Sequence, residues 1–599
     1  MNRCRLLAVL PFLVLAGCPK SDTPDAPAVP LAQATPADTG AFKDLDPWVL
    51  KTTDPNANRG NHGIYLSSGM LGATFGASGG AGKDSKAFVA GVYDNRENLQ
   101  PLADWKPGEL ALKPGEPYEQ SLDLKRGVLT TKLGSVTTTA LVYGYNSITN
   151  VNSSSAKGSG RDEPDGSWSQ VTSYTDPTKE YAKLPDWPTV RKSHEDTWAK
   201  RWEGRDIVID GDPEAQQLVH KLMFDLIQSV QPNGTFSVAP EALSGDFYKG
   251  HIFWDAEVWM FPALLAQHPD LARSLLEYRF EHLAQAKAIA AKQGLKGADF
   301  PWESAKTGNE TVQGTFSQER HVTAGIGWAV WQYWLATDDK AWMSAKGWPL
   351  LSSIADYWAS RATKTGRGWE ILKVIGPDEL QNTPLDNNAY TNAMAQRCLL
   401  AAAEVGKALG KPLNPQWTTV ANGMYFPKNS DGVILKCDDD KGKPGTKQAD
   451  GELLLWPAQL PAADAKTFDF HKVRPIKNGP AMTDSVHALI AARLGRAAEA
   501  EEEFRASYRP FVRGPFLLFS EKRSLDRCVF TTGCGGVLQA VLYGFGGLDF
   551  AHWDAMSKAP VALPKGWKKL EIQGVCYKGK RYTVTVTPQG RTVTPAARG

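Results

Sequence analysis

Several chemistries are excluded by what this 599-residue chain lacks. Cysteine is scarce, with seven in all, and two of them, Cys4 and Cys18, sit at the very start. The other five (Cys398, Cys437, Cys528, Cys534 and Cys576) are too sparse and irregular for a disulfide framework or a zinc site. Only Cys528 with Cys534 has a spacing that leaves a pairing open. Charge bias is missing too: 67 basic against 65 acidic residues leave a formal +2, which gives no electrostatic footprint for nucleic acid. After residue 15 no apolar run is long enough to cross a bilayer. His194-Glu195 lacks the second histidine of a zincin. Gly76-Ala77-Ser78-Gly79-Gly80 has no helix pattern behind it, so it is no nucleophile elbow. Gly82-Lys83 is followed by Asp84 instead of Ser or Thr, and Ala77 stands where a phosphate loop needs its first glycine.

What the chain does have is aromatic weight, 20 tryptophans spread along its length, and a marked start. Arg3 and Arg5, an apolar run from Leu6 to Leu15, and Leu15-Ala16-Gly17-Cys18 resemble a bacterial lipoprotein signal. That resemblance implies lipidation of Cys18 and export, and Pro19 favours the outer membrane over the inner. An ordinary cleaved signal is the alternative. Residues 19–41 are Pro, Ala, Thr and Asp with few bulky side chains, the composition of a tether.

Residues 42–205 predict an antiparallel β-sandwich, with β-rich runs such as Ala87 to Tyr93, Val128 to Leu133 and Ser135 to Tyr145 between turn signals. From 206 to 545 the period changes to three and four. The stretches Pro213 to Val230, Asp270 to Gln293, Arg320 to Ala336, Trp342 to Ala362, Thr391 to Leu409 and Thr483 to Tyr508 read as helices. Trp328, Trp331 and Trp334 fall at helix-packing spacing. About a dozen helices joined by loops rich in Gly, Pro, Trp and acids predict an all-α (α/α)6 toroid with a pocket at one end. Residues 546–599 close the chain with a small β unit around Leu570 to Thr594.

Three stretches of the helical region carry acids in unusual company. Gly250-His251-Ile252-Phe253-Trp254-Asp255-Ala256-Glu257-Val258-Trp259-Met260-Phe261-Pro262 mixes rings with two carboxylates. Flat rings for apolar faces and carboxylates for hydroxyls suit a sugar; a helix start capped by Asp255 suits the same string. Gly376-Pro377-Asp378-Glu379 presents two acids at a turn, with Thr391 placed to cap the next helix. Phe516-Leu517-Leu518-Phe519-Ser520-Glu521 ends an apolar run on a carboxylate, an expensive place for an unpaired charge. Glycosidases commonly set two carboxyls across the scissile bond, which makes Glu379 and Glu521 candidates. His321 opens a helix and suits either a pocket wall or a packed core.

Together with these, Gly297-Ala298-Asp299-Phe300-Pro301-Trp302-Glu303-Ser304, Lys447-Gln448-Ala449-Asp450 and Thr532-Gly533-Cys534-Gly535-Gly536 stand in an order that resembles glycoside hydrolase family 65. The resemblance spans 206–545 and is nearest to the branch with glucosylgalactosyl-hydroxylysine glucosidase, kojibiose hydrolase and acid trehalase. It implies that Glu379 is the general acid and that Trp254, Asp255, Trp302, Glu303, Lys447 and Gln448 line the glucose pocket. Glu521 falls where hydrolases of the family carry the base and phosphorylases have none. The implied activity is inverting hydrolysis of a short α-glucoside, α-1,2-linked by the branch resemblance, with trehalose next and a disaccharide phosphorylase as alternative. No metal or organic cofactor is implied. A surface lipoprotein that only binds sugar is the reading from another class. The mechanism calls for a carboxyl separation of roughly 6.5–9.5 Å and for Glu379 to be protonated near neutral pH, through burial or the nearby Asp378 and Asp255. Ala256 and Gly325 stand where many members have Thr and Asp.

Overall fold

The computed structural model describes residues 40–596 apart from 58–62, 83, 103–104, 106–114, 153–159, 174–182, 233, 235, 313, 382 and 526–528. Lys83, Cys18 with its proposed lipid, most of the tether and Cys528 therefore lie outside the described residues.

Two antiparallel sheets open the chain. The larger runs in the order Val49–Thr52, Tyr118–Asp123, Val128–Leu133, Val136–Tyr143, Asn146–Val151, Trp168–Ser173 and Arg161–Asp162. The smaller orders Ile64–Ser67, Leu71–Phe75, Ala87–Tyr93 and Leu99–Pro101. Side chains from both, including Leu71, Phe75, Phe88, Leu129 and Val142, join one buried core. The stretch just before residue 205 is not strand as expected. Trp187–Trp202 is a helix, capped by Asp186, whose carboxylate accepts the Thr189 N–H at 2.9 Å. Its buried stripe is sparse, Trp187, Val190, His194, Trp198 and Trp202, which is why it is hard to see among polar neighbours. His194 Nε2 bonds the Gly127 carbonyl at 3.0 Å and serves packing.

The helical region begins with Pro213–Gln228 and ends with Thr531–Gln539, and these two helices pack on each other. Between them His321–Thr337 packs on Pro269–Glu281, Trp348–Arg361 and Ala389–Ala408, while Met482–Arg493 packs on Ala497–Tyr508 and Thr531–Gln539. Trp328, Trp331 and Trp334 are buried, as packing residues should be. The long period over 483–508 is two helices broken after Arg493, where Gly495 takes φ +76°. The helix at Ala389 is capped by Asn388 and not Thr391: the Asn388 carbonyl oxygen accepts the Thr391 N–H at 2.9 Å. At the end of the chain Lys569–Tyr577, Lys580–Thr587 and Gly590–Pro595 form a sheet whose fourth strand is Ile207–Asp210, from far back in the sequence.

The aromatic-acidic stretch lies where these parts meet. Tyr93 donates its hydroxyl to the Gly250 carbonyl (2.8 Å), and the Leu99 N–H bonds the Lys249 carbonyl (2.8 Å). Gly250 has φ +70°, and a Cβ there would stand 2.6 Å from that of Leu99, so only glycine admits this approach. Asp255–Met260 then forms a π-helical turn running into Phe261–Leu265. Pro262 brings no N–H to the carbonyl four residues back, and Gln539 Nε2 instead bonds the carbonyls of Val258 (2.9 Å) and Trp259 (2.8 Å). The closing helix can come this near because it starts with glycines; a Cβ on Gly535 would stand 2.4 Å from the Trp259 carbonyl oxygen.

Glu257 points away from the pocket. It forms a two-armed pair with Arg279, at 2.7 Å and 2.9 Å, with both side chains almost wholly buried. Arg279 also reaches the Phe253 carbonyl at 3.2 Å, fixing the turn from behind. Replacing Arg279 by Met leaves a buried carboxylate without its partner, so Arg279→Met should lower unfolding free energy by about 3–5 kcal/mol. Equilibrium urea unfolding followed by tryptophan fluorescence measures this, and a change under 1 kcal/mol (about the worth of an exposed pair) would show that the pair is not a structural anchor.

Candidate active site

Glu379 sits at the tip of the loop between Trp369–Glu370 and Ala389–Ala408. Lys447 Nζ meets its Oε2 at 2.6 Å and Gln448 Nε2 meets its Oε1 at 3.0 Å. The same Gln448 amide donates to the Pro377 carbonyl at 2.7 Å, so the turn and its ligands are tied together. Asp378 faces the other way. Its Oδ2 accepts Lys436 Nζ at 2.7 Å and its Oδ1 the Lys447 backbone N–H at 2.8 Å. Asp450 lies behind: Asn388 Nδ2 bonds its Oδ1 at 3.0 Å, and burial lifts its carboxyl to about 7 against the pull of Lys436. The charge nearest Glu379 is thus the Lys447 ammonium, while Asp378, expected to press on it, is neutralised by Lys436.

Asp255 does not cap a helix; no side-chain cap bond is made at this turn. It is buried and accepts the Thr532 hydroxyl at 2.6 Å. Burial raises its carboxyl to about 7, the Thr532 bond opposes the rise, and the charges of Glu379 and Glu521 add to it. Glu521 follows the two-residue strand Leu518–Phe519 and is buried, its main-chain carbonyl accepting the Ala481 N–H at 3.0 Å. For Lys447, burial opposes the charge, but Glu379, Glu521 and Glu319 outweigh it and hold the ammonium above the ordinary lysine value. Glu379, Glu521, Asp255 and Lys447 therefore lie within one another's electrostatic reach, although they come from four separate parts of the chain.

The ring walls lie alongside. His321 stands edge-on to Trp254 (4.9 Å), Trp302 (5.4 Å) and Tyr390 (5.7 Å), centroid to centroid. Trp302 also meets Phe253 at 5.7 Å. Glu303 is held by His251, Oε1 to Nδ1 at 2.5 Å, and the other ring nitrogen donates to the Glu97 carbonyl at 2.7 Å. That carbonyl belongs to the loop between Ala87–Tyr93 and Leu99–Pro101, so the smaller sheet reaches this side of the pocket. Gly325 packs on Val258, where a Cβ would approach the side-chain methyl to 3.1 Å, so a larger residue there would need the Val258 side chain to give slightly.

Glu379, Lys447 and Gln448 bond one another, Asp255 and Glu521 interact with them, Trp254 and Trp302 meet at His321, and Glu303 is held by His251. The sequence did not single out Thr532 as the partner of Asp255, Lys436 as the counter-charge of Asp378, Tyr390 as a wall, or Glu310, whose carboxylate accepts the N–H groups of Trp302 and Glu303 at 3.2 Å each. Thr532 stands inside a quoted motif and Tyr390 directly before Thr391; Lys436 and Glu310 carry no signal of their own.

Several carboxyls, one ammonium and a set of aromatic rings are thus gathered at the loop ends of the helical region. Residues 221–443 match the glycosyl hydrolase family 65 central catalytic domain, and the helical part of the chain belongs to that family. A kojibiose hydrolase of Mucilaginibacter mallensis is 40% identical over 424 residues, 68% of this chain and 62% of that one. A protein-glucosylgalactosylhydroxylysine glucosidase of Gallus gallus is 34% identical, covering 67% and 59%. A kojibiose phosphorylase of Caldanaerobacter subterraneus is 29% identical, covering 66% and 59%. The chain spans about three fifths of the length of these relatives. A solved structure from the human microbiome, provisionally assigned as a kojibiose phosphorylase, shares the fold at TM-score 0.73 and 16% identity over 94% of this chain and 97% of that one.

The electrostatics of Asp255 make a testable prediction. Its folded carboxyl titrates at about 7 against an unfolded value of 3.8, so between those pH values the unfolded chain gives up a proton that the native state keeps. The contribution of Asp255 to stability therefore falls as pH rises from about 4 to 7. Asp255→Asn removes this slope, and its stability relative to the parent should improve by on the order of 2–4 kcal/mol across that window. Urea unfolding of both proteins at pH 4.5 and 7.5 measures the difference; an unchanged gap would mean that Asp255 is ionised throughout.

Proposed function

We propose that this protein hydrolyses short α-linked glucosides with inversion, releasing β-glucose, with an α-1,2 linkage as in kojibiose or glucosyl-galactose favoured. The observation that carries the reading is Glu521, a buried carboxyl that acts on the same Asp255 and Lys447 as the partly buried Glu379 does. An inverting hydrolase needs such a pair; a phosphorylase needs a phosphate-binding group in place of the second. The kojibiose hydrolase and glucosylgalactosylhydroxylysine glucosidase relatives support the same side.

In this reading Glu379 gives its proton to the glycosidic oxygen, and a water attacks the anomeric carbon from the opposite face. Glu521 takes the proton that this water loses, and the C–O bond to the leaving sugar breaks as the new one forms. Bond making and breaking balance without an electron acceptor, so no metal or organic cofactor is required. Asp255, Lys447 and Gln448 grip glucosyl hydroxyls, Trp254 and Trp302 provide flat walls, and Glu303 lines the pocket. Engagement of Lys447 by a sugar hydroxyl would loosen its hold on Glu379, which must be protonated to act.

The helical region is proposed to be an (α/α)6 toroid, a reading supported by the packing of its first helix, Pro213–Gln228, on its last, Thr531–Gln539. The proposed parts are a signal at 1–18, a tether at 19–41, a β-sandwich at 42–205, the catalytic region at 206–545 and a β appendage at 546–599. Lipidation at Cys18 would hold the enzyme at a bacterial membrane, outer by the Pro19 argument.

The 29% identical phosphorylase makes phosphate the deciding reagent. Incubation with kojibiose, trehalose and other α-glucobioses, with product anomers read by NMR, should give β-glucose with no phosphate present. Strict phosphate dependence with glucose 1-phosphate as product would overturn hydrolysis. Glu379→Gln should lower kcat by about 10²–10⁴-fold on the preferred disaccharide. Glu521→Ala should fall comparably and recover with azide as β-glucosyl azide forms; full activity in that variant would remove Glu521 from the role of base.

A further inference from the structure

One carboxyl at this pocket has no part in the acid–base pair or its ligands. Glu319 follows the short 3-10 turn Gly314–Gln318 and stands just before the helix His321–Thr337. The Ile375 N–H bonds the Gln318 carbonyl at 3.0 Å, tying this turn to the loop that carries Glu379. Glu319 is fully buried. Its Oε2 stands 3.4 Å from His321 Nε2, and among the described residues its Oε1 has no hydrogen-bond partner. His321 Nδ1, the Tyr390 hydroxyl and Gln448 Oε1 are likewise buried without partners.

Buried polar atoms usually find partners, and each one left unmatched costs about 1–3 kcal/mol. Here they gather around one ring box, with His321 against Trp254, Trp302 and Tyr390. The neighbouring cation does not help Glu319, because Arg320 pairs with Asp299 at 2.8 Å. Lys447 bonds Glu379 instead.

We propose that Glu319 and His321 form a hydroxyl-reading pair in this pocket, with Glu319 a further substrate-binding and specificity-determining residue for the glucosyl unit. The proposal rests on the reading of the pocket as a glucoside site. Burial, with the charge of Glu379 next, lifts the Glu319 carboxyl well above the usual range, and burial pushes His321 down to about 3, so burial favours the neutral form of each. A neutral acid next to a neutral imidazole has two arrangements. If His321 Nε2–H donates to Oε2, the pair presents an O–H donor at Oε1 and an acceptor at Nδ1. If the acid proton lies on Oε2 and is given to Nε2, the pair presents an acceptor at Oε1 and an N–H donor at Nδ1. Either way one donor and one acceptor remain, which is what a sugar hydroxyl matches. An anion would use only the donor.

Glu319→Gln keeps the volume with one donor and one acceptor; Glu319→Leu keeps the volume and removes both. On kojibiose the Gln variant should stay within about tenfold of the parent, and the Leu variant should lose about 10–100-fold in kcat/KM. With glucosyl 3-, 4- and 6-deoxy analogues, that loss should vanish for one analogue and persist for the others. Parent-like kcat/KM for the Leu variant, or an equal loss on every analogue, overturns the proposal and leaves the hydrolase reading standing. His321→Phe preserves the ring packing and should show the same analogue-specific loss; it decides the matter if the Leu variant does not fold. Glucose binding by calorimetry separates the two readings. If the parent turns over no α-glucoside but binds glucose, and the Leu variant loses that binding while the Gln variant keeps it, the pair stands and the hydrolase reading fails. A parent that neither turns over an α-glucoside nor binds glucose overturns both.

Discussion

The site depends on one electrostatic constraint: several carboxyls share a buried pocket with a single ammonium. Lys447 is held in its charged form first by Glu379, against the burial that opposes it. One ammonium cannot balance every carboxyl around it, so burial favours keeping protons on some of them. Burial already shows where some of them rest, on Asp255 at about 7 and on Glu319 well above the carboxylate range. In the proposed hydrolysis, which begins by giving a proton away, this surplus would be an asset. The pair of Lys436 with Asp378 keeps a further negative charge from competing.

That charge balance is useful only if the backbone holds it still, and the packing does so by removing freedom near Asp255. The π-helical turn Asp255–Met260 leaves the Val258 carbonyl, which Pro262 cannot serve, and Gln539 on the closing helix serves it together with that of Trp259. Behind the turn Glu257 and Arg279 lock together out of solvent. In front, Thr532 on the same closing helix fixes the carboxyl of Asp255. The glycines of Thr531–Gln539 permit this approach, so these small residues are the packing face of a helix.

Much of this was legible in the sequence. Strands such as Ala87–Tyr93 and Val128–Leu133 fell where alternation put them, and the long helices followed their apolar period, because one face of each is buried. The pocket residues were found through motif strings, since single acids in loops look like ordinary turn residues. Non-local features left no such trace. Ile207–Asp210 is a strand only because Lys569–Tyr577 pairs with it. The helix Trp187–Trp202 hides behind too few apolar residues, and Asn388 takes the cap that Thr391 resembles. Glu319, between Gln318 and Arg320, reads as a solvated helix start; its burial comes from the loop of Glu379 folding over it.

The smaller sheet is more than a neighbour of the helical region. His251 is bonded on one side to Glu303 and on the other to the Glu97 carbonyl. Glu97 has φ +63°, a conformation that non-glycine residues seldom take. It is supported by Asp94, whose carboxylate accepts the N–H groups of Arg96 and Asn98 at 2.8 Å each. The turn thus aims a carbonyl at His251, and its hold determines which ring nitrogen carries the proton facing Glu97 and how the other meets Glu303. Orientation of Glu303 is in this way a property of both parts of the chain. A helical region cut free of the sheets would keep Glu379, Glu521 and Lys447 but lose the brace behind Glu303, and with it the fixed geometry of that wall.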